Sequence, residues 1–167
     1  MSLLQGLLAL ALALGLDALL GRLLPAALGY FDPMLVVVAY FALRRSQASA
    51  MLVGCAGGLL HDGWFHAAVF GVSGFKKTLE GWVVGGIATR IDLNHLPGRI
   101  GVGVLLSIAD QLLDVGLYRL LGLRVVPIDP VRMLLRAAAT GLLVAAIFPI
   151  VDRVSGHDAS RALGRKA

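Results

Sequence analysis

The stretch IGVGVLLSIADQLLDVGLYRLL, residues 100–121, combines a long apolar run with two acidic side chains inside it. As a helix it would extend about 33 Å, which matches the roughly 30 Å hydrocarbon core of a bilayer. Asp110 and Asp114 are four residues apart, so a helix places both carboxylates on one face. Ionised groups at that depth need partners, and the stretch therefore predicts a membrane helix that faces the interior of a bundle.

The whole chain of 167 residues has the same character. Hydrophobic residues make up 58% and charged residues 15%, and the mean hydropathy is +0.85. A water-soluble domain of this size cannot bury so much apolar surface, whereas a bilayer solvates it. The composition predicts one integral membrane domain over residues 1–152, followed by a polar, basic C-terminal tail over residues 153–167.

Proline, glycine and charged residues divide the chain into six hydrophobic segments. All six are predicted to be α-helices, because lipid accepts only helices and closed barrels and no alternating pattern indicates a barrel. The second segment is only about 16 Å long as a helix, so its backbone needs protein neighbours. The fold class is thus predicted as all-α, a polytopic bundle of about six transmembrane segments. They cover residues 3–28, 33–43, 49–64, 72–89, 100–121 and 131–151.

Basic residues indicate how such a bundle would be oriented. Residues 1–14 lack the basic start and the cleavage pattern of a signal peptide, so they are predicted to belong to a retained first helix. Six spans put both termini on one side, and the positive-inside rule favours the cytoplasm for that side. The net charge of +5 and the basic tail fit anionic lipid headgroups better than nucleic acid. The arginines that support this orientation include Arg44, Arg45, Arg90, Arg99 and Arg153.

Three further charged residues stand inside the fourth segment, at Lys76, Lys77 and Glu80. Lys76 lies four residues before Glu80 and Lys77 lies three residues before it, so either ammonium group can neutralise the glutamate along a helix. An internal ion pair that lowers the cost of membrane insertion is the simpler interpretation. A contact with a partner protein or a ligand is the alternative.

Asp110 and Asp114 raise the same question in the fifth segment. A tight antiparallel turn around residues 123–127 would bring Asp114 level with Arg136 of the sixth segment, which predicts an ion pair across that hairpin. Proton relay or ion transport is the competing hypothesis, because intramembrane carboxylates often mark such pathways. The nearby arginines favour the structural interpretation.

Small residues recur every four positions in the third and fourth segments. Gly54 and Gly58 lie on one face of the third segment, and Gly81 and Gly85 lie on one face of the fourth. Such spacing lets two helix backbones approach closely in a membrane. These four glycines are therefore predicted to be helix-packing positions.

Residues that carry chemistry elsewhere are poorly arranged for it in this chain. His61, Asp62 and His66 resemble a metal set, but a helix would hold the two histidines about 140° apart, so an interfacial polar cluster is the better interpretation. The sequence has no serine with a positioned histidine and acid, and no glycine motif for phosphate. It therefore predicts a protein that is not an enzyme, with no catalytic, cofactor-binding or metal-binding residues.

Three stretches together resemble the MreD family, the rod-shape-determining membrane proteins of bacterial cell elongation. They are similar to the family's short second segment, its glycine-leucine-aspartate helix end and its glycine-rich turn into the next helix. Beyond Asn94 the similarity is only compositional, and Trp64-Phe65-His66 is bulkier than the family's pattern. The stretches are Asp32-Pro33-Met34-Leu35 through Ala42-Leu43-Arg44-Arg45, Gly57-Gly58-Leu59-Leu60-His61-Asp62, and Gly71-Val72-Ser73-Gly74-Phe75-Lys76-Lys77-Thr78-Leu79-Glu80-Gly81.

The resemblance implies a scaffold of the bacterial inner membrane that binds MreC, a single-span protein. Through MreC it would help to coordinate lateral peptidoglycan synthesis with the MreB cytoskeleton, alongside other cell-elongation components. Self-association is left open. The resemblance also implies a fold similar to the substrate-capture subunits, or S-components, of energy-coupling-factor vitamin importers, and such a subunit is the alternative function. The candidate partner-binding or structural polar residues are Asp62, Lys76, Lys77, Glu80, Asp110, Asp114 and Arg136.

Overall fold

A computed structural model describes residues 3–23, 32–44, 46–65, 69–91, 93, 95–123 and 129–154. This part of the chain contains six helices and no strand, which confirms the all-α prediction for it. The helices are α1 (Leu3–Leu23), α2 (Pro33–Arg44), α3 (Gln47–Phe65), α4 (Val72–Ala88), α5 (Leu96–Leu120) and α6 (Pro130–Val154).

The helix bounds follow the apolar runs of the sequence. The largest shift at a helix start is in α5, which begins at Leu96, four residues before the predicted start, with a proline in its first turn. Proline suits that position because its missing N–H group has no helical partner there. Residues 24–28 of the predicted first segment, and residues 155–167 of the predicted tail, lie outside the described residues.

Two helices, α5 and α6, are long and apolar enough to cross a membrane, with candidate spans at Leu96–Leu120 and Pro130–Arg153. Large apolar side chains also point outward from the bundle. Leu12 is 73% exposed, and Leu105 and Leu142 are each 64% exposed. Lipid solvates such a surface, whereas an extended apolar surface in water favours aggregation. Length, composition and surface thus agree with membrane association.

The short helix α2 lies at the centre of the bundle and contacts each of the other five helices. Ten of its 12 residues are buried. Its side chains form the apolar core together with Leu106 of α5 and with Val144 and Phe148 of α6. Protein neighbours therefore surround a segment of about 18 Å that is too short to span a bilayer by itself.

The α3 helix packs closely on α4 through glycine. A Cβ atom at Gly54 would collide with the carbonyl oxygen of Lys77, and a Cβ atom at Gly58 would collide with the carbonyl oxygen of Ser73. Only a residue without a side chain permits that approach of the two backbones. The contact also fixes the depth of Lys77 relative to α3.

The same interface continues along α4. A Cβ atom at Gly81 would lie 2.7 Å from the backbone of Ala50, and one at Gly85 would lie 2.7 Å from the Cα atom of Gln47. The structure therefore places all four predicted packing glycines in one interface. Dispersion contacts over this length hold α3 against α4.

A second glycine contact sets the register of α5 on α6. A Cβ atom at Gly103 would lie 2.7 Å from the Cα atom of Gly141. The backbones of the two helices are therefore in contact at this point. The contact determines which side chains of α5 lie opposite which side chains of α6. This register decides which charged residues of α5 and α6 lie at the same height.

Candidate functional site

Seven charged side chains from three helices and one helix cap converge inside the bundle. We call this group the lysine cluster. Lys76 and Lys77 lie near the start of α4, where each is only 5% exposed. The close packing of α4 on α3 carries both lysines to the centre of the group. Its members are Asp32, Lys76, Lys77, Glu80, Asp110, Asp114 and Arg136.

Asp110 of α5 is the central carboxylate of the lysine cluster. The ammonium groups of Lys76 and Lys77 each donate a hydrogen bond to its Oδ1 atom at 3.0 Å. Arg136 of α6 donates to its Oδ2 atom at 3.1 Å. Asp110 is 1% exposed, and all three cations of the cluster contact it.

Asp32 joins the cluster from the start of α2. Its Oδ1 atom accepts a hydrogen bond from the backbone N–H group of Leu35 at 3.0 Å, which caps the helix. Its Oδ2 atom accepts one from the Lys77 ammonium group at 2.8 Å. Lys77 and Arg136 both lie within ion-pair distance of Oδ2, and their charges stabilise the ionised form of this carboxyl group. One side chain thus begins α2 and ties it to α4.

Arg136 does not form the predicted pair with Asp114. It lies 3.1 Å from Asp110 and 3.4 Å from Asp32, while Asp114 pairs with Lys76 at 2.6 Å. The reason is the contact of Gly103 with Gly141 of α6, which brings Arg136 level with about residue 108 of α5, between one and two turns before Asp114. The hairpin does carry a charge pair, but through a different aspartate.

Glu80 is the least satisfied member of the cluster. It is 2% exposed, and neither oxygen of its carboxyl group accepts a hydrogen bond from any residue that the structure describes. The closest cation is the Lys77 ammonium group at 3.8 Å, so Lys77 and not Lys76 is the lysine that reaches it. A carboxyl group buried without a donor is energetically costly. Glu80 therefore has unused capacity to bind a donor.

Asp62 is part of a turn and lies apart from the lysine cluster. Its Oδ2 atom accepts hydrogen bonds from the N–H groups of Gly71 at 2.9 Å and Ser73 at 3.0 Å. Gly71 has a φ angle of 96°, a backbone conformation that suits glycine. With a side chain that is 2% exposed, Asp62 holds the turn that begins α4. A direct contact with a partner would require a more accessible group.

The histidines next to Asp62 contribute no metal set within the described residues, where no group of three metal-binding side chains occurs. The His61 ring packs against Phe65 with 4.7 Å between the ring centres. His66 lies outside the described residues. His61 instead forms part of the wall of a cavity beside the lysine cluster.

That cavity has a volume of about 220 Å³, enough for several water molecules. Asp17 of α1 lines it and is 4% exposed. Among the described residues no cation lies within ion-pair distance of Asp17, although α1 points it toward the cluster. Ser73 and Tyr118 complete the wall with hydroxyl groups. The arrangement can hold water or a small polar molecule among fixed charges.

A second group of charges lies at the opposite end of α2, α5 and α6. We call it the Asp152 cluster, and it consists of Arg44, Arg99 and Asp152. Arg44 forms an ion pair with Asp152, and an Arg99 nitrogen lies 3.8 Å from the same carboxylate. The guanidinium group of Arg99 also lies over the Phe148 ring, 5.6 Å from its centre. Tyr40 donates a 3.5 Å hydrogen bond to Asp152.

The sequence patterns missed the role of Asp32 and of the whole Asp152 cluster. A signal for Asp32 was available, because an aspartate directly before a proline is typical of a helix start. A lone acidic residue near the end of an apolar helix, as at Asp152, was also a signal for an interior ion pair. Arg44 and Arg99 were interpreted only as indicators of orientation.

Comparison of the chain with protein-family models, with curated proteins and with solved structures gives no match in any of the three.

Proposed function

We propose that this protein is a polytopic scaffold of the bacterial inner membrane, similar to MreD, that binds an MreC-like single-span protein in the cell-elongation machinery. In this proposal all six helices are membrane segments and both termini are cytoplasmic. The sequence resemblance supplies the partner. The internal pairing of the buried charges supports a scaffold in place of a carrier.

The observation that carries the proposal is the internal pairing of the lysine cluster. Each of its seven charged groups lies within 4 Å of an opposite charge from the same group. A carrier needs charged groups that exchange partners as cargo passes, whereas this network links α2, α4, α5 and α6 in one arrangement. A fixed bundle with an apolar exterior is suited to recognition of another membrane helix.

The orientation is supported by the charge balance of the two clusters. The lysine cluster has four carboxylates and three cations, and the Asp152 cluster has two arginines and one carboxylate. Arg90 and Arg153 lie at the same end of the bundle as the Asp152 cluster, at the ends of α4 and α6. The positive-inside rule places this end in the cytoplasm.

The test is recovery of partners from native membranes. The protein is extracted in mild detergent and purified by an affinity tag, and the proteins and small molecules that accompany it are identified by mass spectrometry. The expected result is a single-span protein with a periplasmic coiled coil, together with other cell-elongation components. Recovery of paired ATPases, or of a small molecule in equal molar amount, would contradict the scaffold.

One observation favours a second candidate function, the substrate-capture subunit of a vitamin importer. The cavity beside the lysine cluster is polar, and aspartate, lysine, arginine and hydroxyl groups surround it. A small ligand with both donors and acceptors would fit such a wall. Under this alternative, Asp17→Asn and Tyr118→Phe are expected to release the copurifying molecule, while neither change alters the recovered proteins.

A further inference from the structure

A wide groove runs between α4 and α5 on the outside of the bundle. Its volume is about 770 Å³, and apart from Glu80 its wall is formed by apolar side chains and glycines. It extends from Leu79 to Ile87 on α4, continues past the end of that helix to Ile91, and runs from Gly98 to Leu113 on α5, a length of roughly 22 Å along α5. That length corresponds to about four turns of a helix. The groove therefore has the dimensions of a helix-binding surface.

A glycine at the wall of the groove has open space in front of it. A Cβ atom at Gly101 would meet nothing within 4 Å, whereas one at Gly103, two residues along the same helix, would collide with α6. Gly103 thus permits the close contact of α5 with α6 inside the bundle. Gly101 would permit an equally close contact of α5 with a molecule in the groove. Glycine at such a position lets a further helix backbone come near.

Glu80 supplies the second, independent observation. Its carboxyl group lines the groove, is almost fully buried, and accepts no hydrogen bond within the described residues. An acyl chain of a lipid would fill the groove but would bring no donor to this group. Helices α1 (from Leu8) and α6 of a second copy would bring no donor either, because their exposed faces carry only apolar residues and glycine between their ends.

We propose that this α4/α5 groove binds the transmembrane helix of a single-span partner, and that a hydrogen-bond donor on that helix binds Glu80. The partner helix would carry a serine, threonine, asparagine or similar side chain at the depth of Glu80, with apolar or small residues one turn above and below. The inference rests on the proposed scaffold function and names the surface that performs it. Filling the groove should therefore remove the partner without altering the bundle.

The first experiment places a photo-crosslinking amino acid, p-benzoylphenylalanine, at Leu105 in the groove or at Leu142 on α6. The two positions are matched, because both side chains are leucines with 64% exposure on helices of equal length. Irradiation in living cells is expected to link position 105 to the membrane-spanning segment of the single-span protein that the pull-down recovers. Position 142 is expected to link at least tenfold less. A crosslink from position 105 only to lipid or to a second copy of this chain would overturn the proposal.

The second experiment fills the groove by Gly101→Leu and compares it with Gly116→Leu. Both glycines lie on α5 with nothing within 4 Å of a Cβ atom, but Gly116 does not line the groove. Gly101→Leu is expected to lower partner recovery at least tenfold, Glu80→Gln about fivefold, and Gly116→Leu less than twofold. Equal Tm values for the three variants in detergent would establish that the bundle is intact.

The outcomes separate the two proposals. If wild-type protein recovers no single-span partner, the scaffold function is wrong and the groove proposal is wrong with it. If wild type and Gly101→Leu recover the same partner in equal amounts, the scaffold function stands and the groove proposal alone is overturned. If Gly101→Leu has a lower Tm than wild type, its loss of partner cannot be assigned to the groove. The crosslink from position 105 then tests the groove proposal, because the crosslinking variant retains Gly101.

Discussion

The lysine cluster and the Asp152 cluster both hold ionised side chains inside the bundle, but they lie at different positions along its helices. Both compensate charge inside an apolar bundle, and both draw on α2, α5 and α6, about 17 to 24 Å apart along those helices. In the lysine cluster, Asp110 lies in the middle of α5, and the two lysines that bind it are each only 5% exposed. In the Asp152 cluster, Arg44 is the last residue of its helix and can extend its side chain toward the end of the bundle, where the proposed orientation has the membrane surface.

From this difference we expect depth, more than the number of ion pairs, to set how strongly a charged group depends on its partners. A charge near the end of a helix retains access to water and headgroups when its partner is lost. A charge in the middle of the bundle has no such alternative, so removal of one member leaves the others unpaired in a medium of low dielectric constant. The following variants test this comparison.

The largest effect is expected from Lys77→Met. The change removes the ammonium group that binds Asp32 and Asp110, and it leaves both carboxylates with fewer cations. Breaking a buried pair in this way costs about 3–5 kcal/mol of unfolding free energy, which would prevent recovery of folded protein in detergent. The matched change Arg132→Met removes a cation whose side chain is 76% exposed, and it should alter Tm little. Equal Tm values for the two variants would contradict the expectation that a charged group deep in the bundle depends more strongly on its partners.

The next effect concerns the backbone contact that holds the lysine cluster in place. Gly54→Ala introduces a Cβ atom against the carbonyl group of Lys77, so α3 and α4 must separate. Overpacking of this kind costs about 2 kcal/mol, seen as a lower Tm in detergent. Gly15→Ala on α1 is the control, because nothing lies within 4 Å of its Cβ position. A stable Gly54→Ala variant would mean that the lysine cluster does not require the close helix contact.

A smaller loss is expected at the other cluster. Asp152→Asn keeps an acceptor for Tyr40 and removes the charge that Arg44 and Arg99 share. Because Arg44 can turn toward the membrane surface, the loss should be about 1.5 kcal/mol, the value of a hydrogen bond to a charged group. Thermal unfolding in detergent measures it. A loss as large as that of Lys77→Met would contradict the role given to depth.

The smallest effect is a coupling energy, and it tests the register of α5 on α6. A double-mutant cycle of Lys76→Met with Asp114→Asn is expected to give about 1 kcal/mol of coupling, because these side chains pair directly. A cycle of Asp114→Asn with Arg136→Met should give less than about 0.5 kcal/mol. A larger coupling energy for Asp114 with Arg136 than for Asp114 with Lys76 would instead support the ion pair across the hairpin that a turn at residue 125 predicts.

The sequence predicts the helices well and the contacts between them only in part. Apolar runs bounded by proline, glycine and charged residues mark where each helix starts and ends. Burial in lipid and burial in a bundle both favour apolar residues, so the pattern is the same in either environment. The presence of Lys76, Lys77 and Asp110 in the interior also follows from their place inside those runs. Their pairing does not follow, since it depends on which backbones meet. Gly103 and Gly141 set that register, and nothing in their own segments indicates that they meet.

Asp62 illustrates a second limit. A buried aspartate beside two histidines has the residue types of a binding site, and only the path of the chain after Phe65 brings the N–H groups of Gly71 and Ser73 to its carboxylate. A turn of this kind depends on backbone conformation at a distance of nine to eleven residues. Local pattern therefore identified the residue, while its role depends on the tertiary fold.

The central position of α2 has a consequence for how the protein is made. During synthesis α2 leaves the ribosome second, but its contacts with α5 and α6 become available only when the last helix has been made. The same delay applies to Lys76 and Lys77, which meet Asp110 only after α5 is complete. Until then the nascent chain carries a short helix and two lysines whose partners have not yet been made. Assembly of the described bundle is in this sense a late step, which waits for α6.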